Sequence, residues 1–267
     1  MSDTSTIKVS SPEHRAFWKL RVLFEADGLL AIDKPSHLLV SPEKQRADFP
    51  VLTKSLQHDL NHQAAWTRSR DYHFLDLVYS LDFECTGIQL YATDKALHET
   101  LRNLYGSRQI ELTFAVLVHG HPPEDEFEID LKLAPHPTRR WQTRVNRTKG
   151  KQSLTRCTVK ERFRDHTLLE CHTTTLRQHQ IRVHLKEHGC PVIGDALYRG
   201  NLLLLSHLKR KYRRKPGAVE KPLIDRAACH LTRINLTHPG TNQPLTIESD
   251  YPKDMAVGLK CLQQFGR

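Results

Sequence analysis

The chain has 267 residues, 38% of them hydrophobic, enough to bury the core of one large domain or of a domain with a smaller lobe. With 40 Lys and Arg against 30 Asp and Glu, its formal net charge is +10, a field that draws polyanions such as RNA, DNA or an anionic surface. The six cysteines (Cys85, Cys157, Cys171, Cys190, Cys229 and Cys261) form no CxxC pair, the first residues hold no apolar stretch of a secretory signal, and the longest aliphatic run, Leu202 to Leu205, is far too short to cross a bilayer. Disulfide scaffolds, zinc modules and membrane spans are therefore excluded, and a cytoplasmic protein with reduced thiols is expected.

Residues 1–19 are polar and read as an N-terminal tail, loose or forming a peripheral helix, ahead of one domain over 20–267. In LRVLFEADGLLAIDKPSHLLV (20–40), two short apolar runs flank Asp27-Gly28, a turn signal between strands. Leu52, Leu56 and Leu60 recur at four-residue spacing and predict a helix over 51–62. FLDLVYSLD (74–82) and TGIQLYA (86–92) predict successive strands, with Asp82 at the end of the first or in the short connection. Thr93-Asp94 offers an N-cap to a helix at about 95–105, with Ala96, Leu97, Leu101 and Leu104 on one face and Gly106 as its stop.

IELTFAVLVHG (110–120) predicts a long strand, 127–160 paired strands joined by a basic loop, and TLLECHTT (167–174) another strand. QHQIRVHLKEHG (178–189) predicts a short helix closed by Gly189, with Pro191 beyond it. HLTRINLTHPGTNQPLTIES (230–249) reads as a hairpin around Pro239-Gly240. Strands adjacent in sequence with only two or three helices imply an α+β fold with a largely antiparallel sheet.

No phosphate-binding glycine loop, no HExxH and no GxSxG occurs, so nucleotide-loop, zinc-protease and serine-hydrolase chemistry have no support. His58 and His62, four apart on a helix, could share a metal, but no third ligand accompanies them and a surface pair is the plainer reading. Two basic segments stand out: Arg139, Arg140, Arg144, Arg147, Lys149 and Lys151 around Trp141, and Lys209, Arg210, Lys211, Arg213, Arg214 and Lys215 around Tyr212. Cations neutralise phosphates and aromatic rings stack on bases, so two such runs in a basic chain favour a nucleic-acid partner over a merely solvated surface. Nothing resembles a helix-turn-helix or other groove reader, which disfavours a structural DNA-binding role. Asp82 follows an apolar strand, where an Asp is most often a turn former. Arg182 lies on a short helix, where an Arg is most often a surface residue or a structural ion pair. An Asp facing an Arg would stay ionised and positioned, as a nucleophile or base must be.

Five segments, in order over about residues 20–252, resemble the motifs of RluA-type RNA pseudouridine synthases. They are EADGLLAIDKPSHLLVSP (25–42), YSLDFECTG (79–87), RQIELTFAVLVHG (108–120), TTTLRQHQIRVHLKEHGCPVIGDALYRG (173–200) and ACHLTRINLTHP (228–239). The HQIRVH…GDALY block is the most specific of them. The resemblance implies a mixed, mainly antiparallel curved sheet with flanking helices and a central cleft. It also implies isomerisation of specific uridines in rRNA or tRNA, with no cofactor and no metal. The sequence leaves oligomeric state open, with a monomer as the default.

Asp82 matches the family's catalytic Asp, Arg182 the Arg expected to pair with it, and Phe114 the ring that stacks on the flipped uracil; Arg177 is a second candidate for that pairing or for phosphate contact. Arg139, Arg140, Arg144 and the run Lys209, Arg210, Lys211, Arg213 and Arg214, within what resembles an insertion at 201–225, are the further RNA-binding candidates. The chain departs from the family at Tyr79 (usually His), Ser80 (Arg), Leu112 (Lys), Phe114 (Tyr), Leu176 (Gly) and His37 (Gly). These departures leave Asp82 and Arg182 in place. They also frame the alternative reading, an RNA-binding homologue with impaired catalysis that acts as a chaperone or assembly factor.

Overall fold

The computed structural model describes residues 5–139, 141–213 and 217–266. Chain order begins with β1 (Thr6–Ser11) and β2 (Ala16–Ala26), paired antiparallel. From residue 5 onward, the predicted N-terminal tail is thus largely strand. In β1 the apolar signal is only two residues, Ile7 and Val9, but both are wholly buried in strict alternation, which the polar composition masked. β3 (Leu29–Lys34) follows through Asp27 and Gly28, both at positive φ (51° and 80°), the backbone of a two-residue type I′ hairpin.

α1 (Leu52–Asn61) and the single turn α2 (Ala65–Arg68) come next, the former carrying the predicted leucine face with Leu52 and Leu56 fully buried. β4 is only Asp76–Leu77, shorter than the strand predicted for 74–82. Beyond Val78, the segment leaves the ladder because the buried Gln89 side chain takes over its polar groups. Gln89 Nε2 donates to Tyr79 O at 2.5 Å, and its Oε1 accepts from Leu81 N at 3.2 Å.

β5 (Thr86–Ala92) is buried at every residue. α3 (Lys95–Gly106) starts where expected, with the Asp94 carboxylate accepting from Leu97 N at 2.7 Å. Then follow β6 (Glu111–His119), β7 (Glu126–Asp130), β8 (Leu133–Pro135), β9 (Thr143–Val145), β10 (Leu154–Arg162) and β11 (His166–Thr173). α4 (Gln180–Glu187) is closed by Gly189 at φ 86°, and α5 (Leu205–Leu208) is a single turn inside 201–225. β12 (Cys229–Thr237) and β13 (Pro244–Glu248) form the predicted C-terminal hairpin. α6 (Lys253–Phe265) was not predicted; it buries Met255, Leu259 and Leu262 at helical spacing.

Two compact units result. One comprises residues up to Leu112 with Leu231–Ser249, the other Thr113–His230 with the chain from Asp250 onward. In the first, strands run in the order β1-β2-β3-β5-β12, with β4 also on β5 and β13 on β12. α1 packs its leucines against Ile7, Val9 and Ile32, and each such side chain withdrawn from water contributes about 1.5–3 kcal/mol. In the second, the order is β6-β11-β10-β7, and the β8-β9 hairpin stands beside it with Leu133, Val183 and Tyr198 packed together. The protein is α+β, its sheet open and mostly antiparallel. No helix among the described residues is long and apolar enough to cross a membrane.

Candidate active site

Asp82 lies in the turn between β4 and β5, half-buried, and the turn closes on itself through Cys85 N donating to Asp82 O at 3.2 Å. The turn hangs from a buried cation. Lys34, at the end of β3, is 0% exposed, and its Nζ donates to Cys85 O at 2.8 Å, Pro35 O at 2.9 Å and Phe83 O at 3.4 Å. A buried ammonium needs such acceptors, and the acceptors lock the backbone on either side of Asp82. His37 N donates to Phe83 O at 2.8 Å, closing the same turn from the Lys-Pro loop.

Gly87 sets the floor of the turn. Its φ is 114°, and a Cβ there would lie 2.3 Å from Leu231 O, so β12 can pair this closely with β5 only against glycine. Around the turn, Arg46 bridges Glu43 (3.0 Å) and Glu84 (2.8 Å), and its guanidinium sits 4.0 Å from the Phe83 ring centre. Burial raises the Glu43 carboxyl above its ordinary range; Arg46 opposes that shift, and the charges of Glu84 and Asp82 add to it.

In the second unit, the HQIRVH…GDALY block is wired residue by residue. Gln180, at 1% exposure, accepts from Arg177 N (3.0 Å) and donates to Thr173 Oγ1 (3.0 Å) and Leu154 O (3.1 Å), fixing the loop ahead of α4. His179 takes a left-handed backbone (φ 56°) and pairs its Nδ1 with Tyr198 Oη at 2.8 Å. His184 bonds Thr155 Oγ1 and Leu131 O.

Arg182 is held in a two-pronged ion pair by Asp195, Nε to Oδ2 at 2.7 Å and Nη2 to Oδ1 at 2.8 Å, with both side chains 1% exposed. Gly194 precedes that Asp at φ 74°, where a Cβ would meet Arg226 O at 2.1 Å. Sequence reading singled out Arg182 but missed Asp195, Lys34 and Gln180 as its supports and those of Asp82. The signal was present, since a charged or amide side chain inside an apolar segment has to be paired when buried.

Phe114 is 1% exposed in β6, and Leu112, on the same strand, is fully buried. Tyr79 is buried too; its hydroxyl donates to Ile88 O at 2.5 Å and its ring stacks on Tyr105, whereas Ser80 is exposed. Arg177 is half-buried, and its Nε is enclosed without a hydrogen-bond partner among the described residues.

Arg139 and Arg144, both exposed, line a cavity of about 310 Å³ together with His136, Lys186, Arg199 and Tyr198. Lys209 lies over the Phe265 ring at 5.3 Å, while Arg210, Lys211 and Arg213 are exposed. Arg140 and Arg214 lie outside the described residues. His58 and His62 stack ring on ring at 4.0 Å, the surface pair of the plainer reading.

The sequence profile of the RNA pseudouridylate synthase family matches residues 28–187, more than half of the chain. The chain belongs to that family. It is similar to the ribosomal large subunit pseudouridine synthase D of Xanthomonas campestris, 30% identical over 92% of this chain and 70% of the relative. An uncharacterized RNA pseudouridine synthase of Bacillus subtilis is 27% identical over 99% of this chain and 81% of its own length. The solved structure of human RNA pseudouridylate synthase domain containing 4 shares the fold, with a TM-score of 0.67 at 18% identity, covering 91% of this chain and 92% of that one. The RluA-type resemblance therefore holds, and the chain is an RNA pseudouridine synthase, an isomerase converting uridine to pseudouridine in RNA.

Proposed function

We propose that Asp82 is the catalytic carboxylate of this synthase, that Arg182 is the cation that positions it, and that Phe114 supplies the face for the flipped uracil. The observation that carries this reading is the anchoring of the Asp82 turn by the fully buried Lys34. A carboxylate that must meet one sugar or base atom gains from a backbone that does not move, because small misplacements of reacting groups are costly in rate. The two-pronged grip of Asp195 on Arg182 gives that guanidinium the same fixed aim. Arg177, with its enclosed and unsatisfied Nε, is offered as a phosphate contact. Arg139, Arg140 and Arg144, and the run Lys209, Arg210, Lys211, Arg213 and Arg214, are offered as the surfaces that hold the rest of the RNA.

Ribosomal RNA is the proposed substrate, because the relative from Xanthomonas campestris is named for the large ribosomal subunit. With that substrate, the protein would act as a monomer in the cytoplasm. The test is tritium release from RNA labelled at carbon 5 of uridine, a hydrogen that isomerisation must free. Ribosomal and transfer RNA pools are assayed separately, with Asp82→Asn alongside. Release from ribosomal RNA by the native protein and none by the variant, at unchanged RNA affinity, is the expected result. Undiminished release by Asp82→Asn would remove the assignment, and release from transfer RNA alone would correct the substrate.

A further inference from the structure

A cavity of about 590 Å³ opens in the first unit, lined by the end of β1 and the turn after it (Ser11, His14), by the loop 42–49 (Glu43, Lys44, Arg46, Phe49) and by α1 (Lys54, Ser55, His58). It lies within the size range of small-ligand sites. None of the residues proposed for catalysis lines it. We propose that it is a second nucleotide subsite, which holds one unpaired nucleotide of the substrate RNA other than the target uridine. The proposal rests on the RNA substrate already argued and deepens it.

Three features of the lining carry it. Phe49 is 45% exposed and lines the cavity, so its ring offers a base a surface to stack on. Lys44 and Lys54 are exposed and have no ion-pair partner among the described residues, so their charge is available to a phosphate. Ser55 lines the same wall from α1, and its hydroxyl is a group that can donate to a polar atom held in the cavity. A base against Phe49, with its phosphate toward the lysines, uses all three.

The cavity also reaches the Asp82 turn through direct contacts. Phe49 packs edge-on against Phe83 (centroids 5.5 Å apart, planes at 84°), and Arg46, another lining residue, lies over the opposite partner of that contact, the Phe83 ring, while pairing with Glu84. Both Phe83 and Glu84 belong to the turn that carries Asp82. A nucleotide in the cavity would therefore tighten the turn, and so help select RNAs that present two unstacked bases.

The test is photo-crosslinking of the native protein to RNA substituted with 4-thiouridine, with tryptic peptides read by mass spectrometry, and RNA titrations of two variants. An adduct on the peptide holding Phe49 is expected. Phe49→Ala should weaken RNA binding about tenfold, as loss of one base stack does. Lys54→Glu, an exposed change that leaves the core untouched, should weaken it and reduce the salt slope by about one. Asp82→Asn should lose tritium release at native affinity, so failure of the catalytic assignment reads differently from failure of this one. Native affinity in both cavity variants, or adducts confined to other peptides, overturns the proposal. So does binding of uridine monophosphate at Phe49 with RNA affinity unchanged in the variants, which would assign the cavity to a free nucleotide.

Discussion

The two units hold their key side chains by opposite devices. In the first, a buried cation, Lys34, fixes through backbone carbonyls the turn that carries Asp82, the carboxylate proposed for catalysis. In the second, the side chain proposed to position that carboxylate is part of the scaffold, since Arg182 is clamped by Asp195 at 1% exposure on both sides. The first device should separate stability from catalysis, and the second should bind them together.

Asp195→Ala gives the largest expected effect. It leaves a guanidinium in a dry site without its paired carboxylate, a change that costs about 3–5 kcal/mol. Urea denaturation should show this as a lowered midpoint, with tritium release falling further than the folded fraction because Arg182 loses the grip that aims it. Lys34→Met should cost less. The carbonyls of Pro35, Phe83 and Cys85 lose a donor, at roughly 1–3 kcal/mol for each left dry, but the buried charge goes with it and its lost desolvation cost offsets part of that. Its signature is kinetic: in the folded protein kcat falls by up to about a hundredfold while KM stays within about threefold, because the turn misplaces Asp82 while Lys44, Lys54 and the exposed arginines, which lie outside it, keep their places. If KM rose instead and kcat held, the turn would belong to binding and the contrast between the units would fail.

How far the sequence revealed this contrast can be followed residue by residue. α1, α3 and the C-terminal hairpin were legible because apolar periodicity and local capping or turn chemistry agree there, as Asp94 shows. β1 was not, because a strand with two inward apolar residues looks like a polar tail until its partner strand and α1 cover it. The shortening of β4 could not be read either, because it depends on where a side chain eight to ten residues away, Gln89, points its amide. The same holds at the site. Asp82, Arg182, Lys34 and Asp195 all stand in segments that resemble family motifs, but Lys34 and Asp195 act as supports through burial, which a sequence does not print. α6 was missed although it has an apolar face; a mean of short polar interruptions hides Met255, Leu259 and Leu262 at four- and three-residue steps.

A smaller effect separates the units by pH. Burial pushes the His166 imidazole down to about 4, and the neighbouring His119, His121 and Arg164 push the same way, against Asp165. Burial also lowers His184. A histidine whose folded pKa lies below its unfolded value leaves the unfolded chain holding the extra proton. The stability it supports is complete above the unfolded pKa, near 6.5, and is lost as pH falls toward about 4. Glu43, raised by burial, has the opposite sign and favours the folded state at the acid end. Acid should therefore loosen the second unit first. Hydrogen exchange at pH 5 should rise in β11 and α4 ahead of α1 and β3, and His166→Gln should flatten the slope of stability between pH 6.5 and 4. Uniform loss of protection across both units would contradict it.

The smallest effect concerns His37, which stands where the family has glycine. Its φ of 56° is left-handed, a conformation that glycine adopts without steric cost and a histidine does not. In return, the histidine ring meets Phe83, the residue after Asp82, edge-on at 5.3 Å. His37→Gly should relieve the backbone and lose that contact, two effects of opposite sign and each on the order of 1 kcal/mol. The net change in thermal unfolding should fall within about 1 kcal/mol. Turnover should respond more than stability, because the lost ring braces the turn while the backbone bond from His37 N to Phe83 O survives. A large gain in stability with turnover unchanged would mean that the ring contributes nothing to the turn, and Lys34 alone would then account for its position.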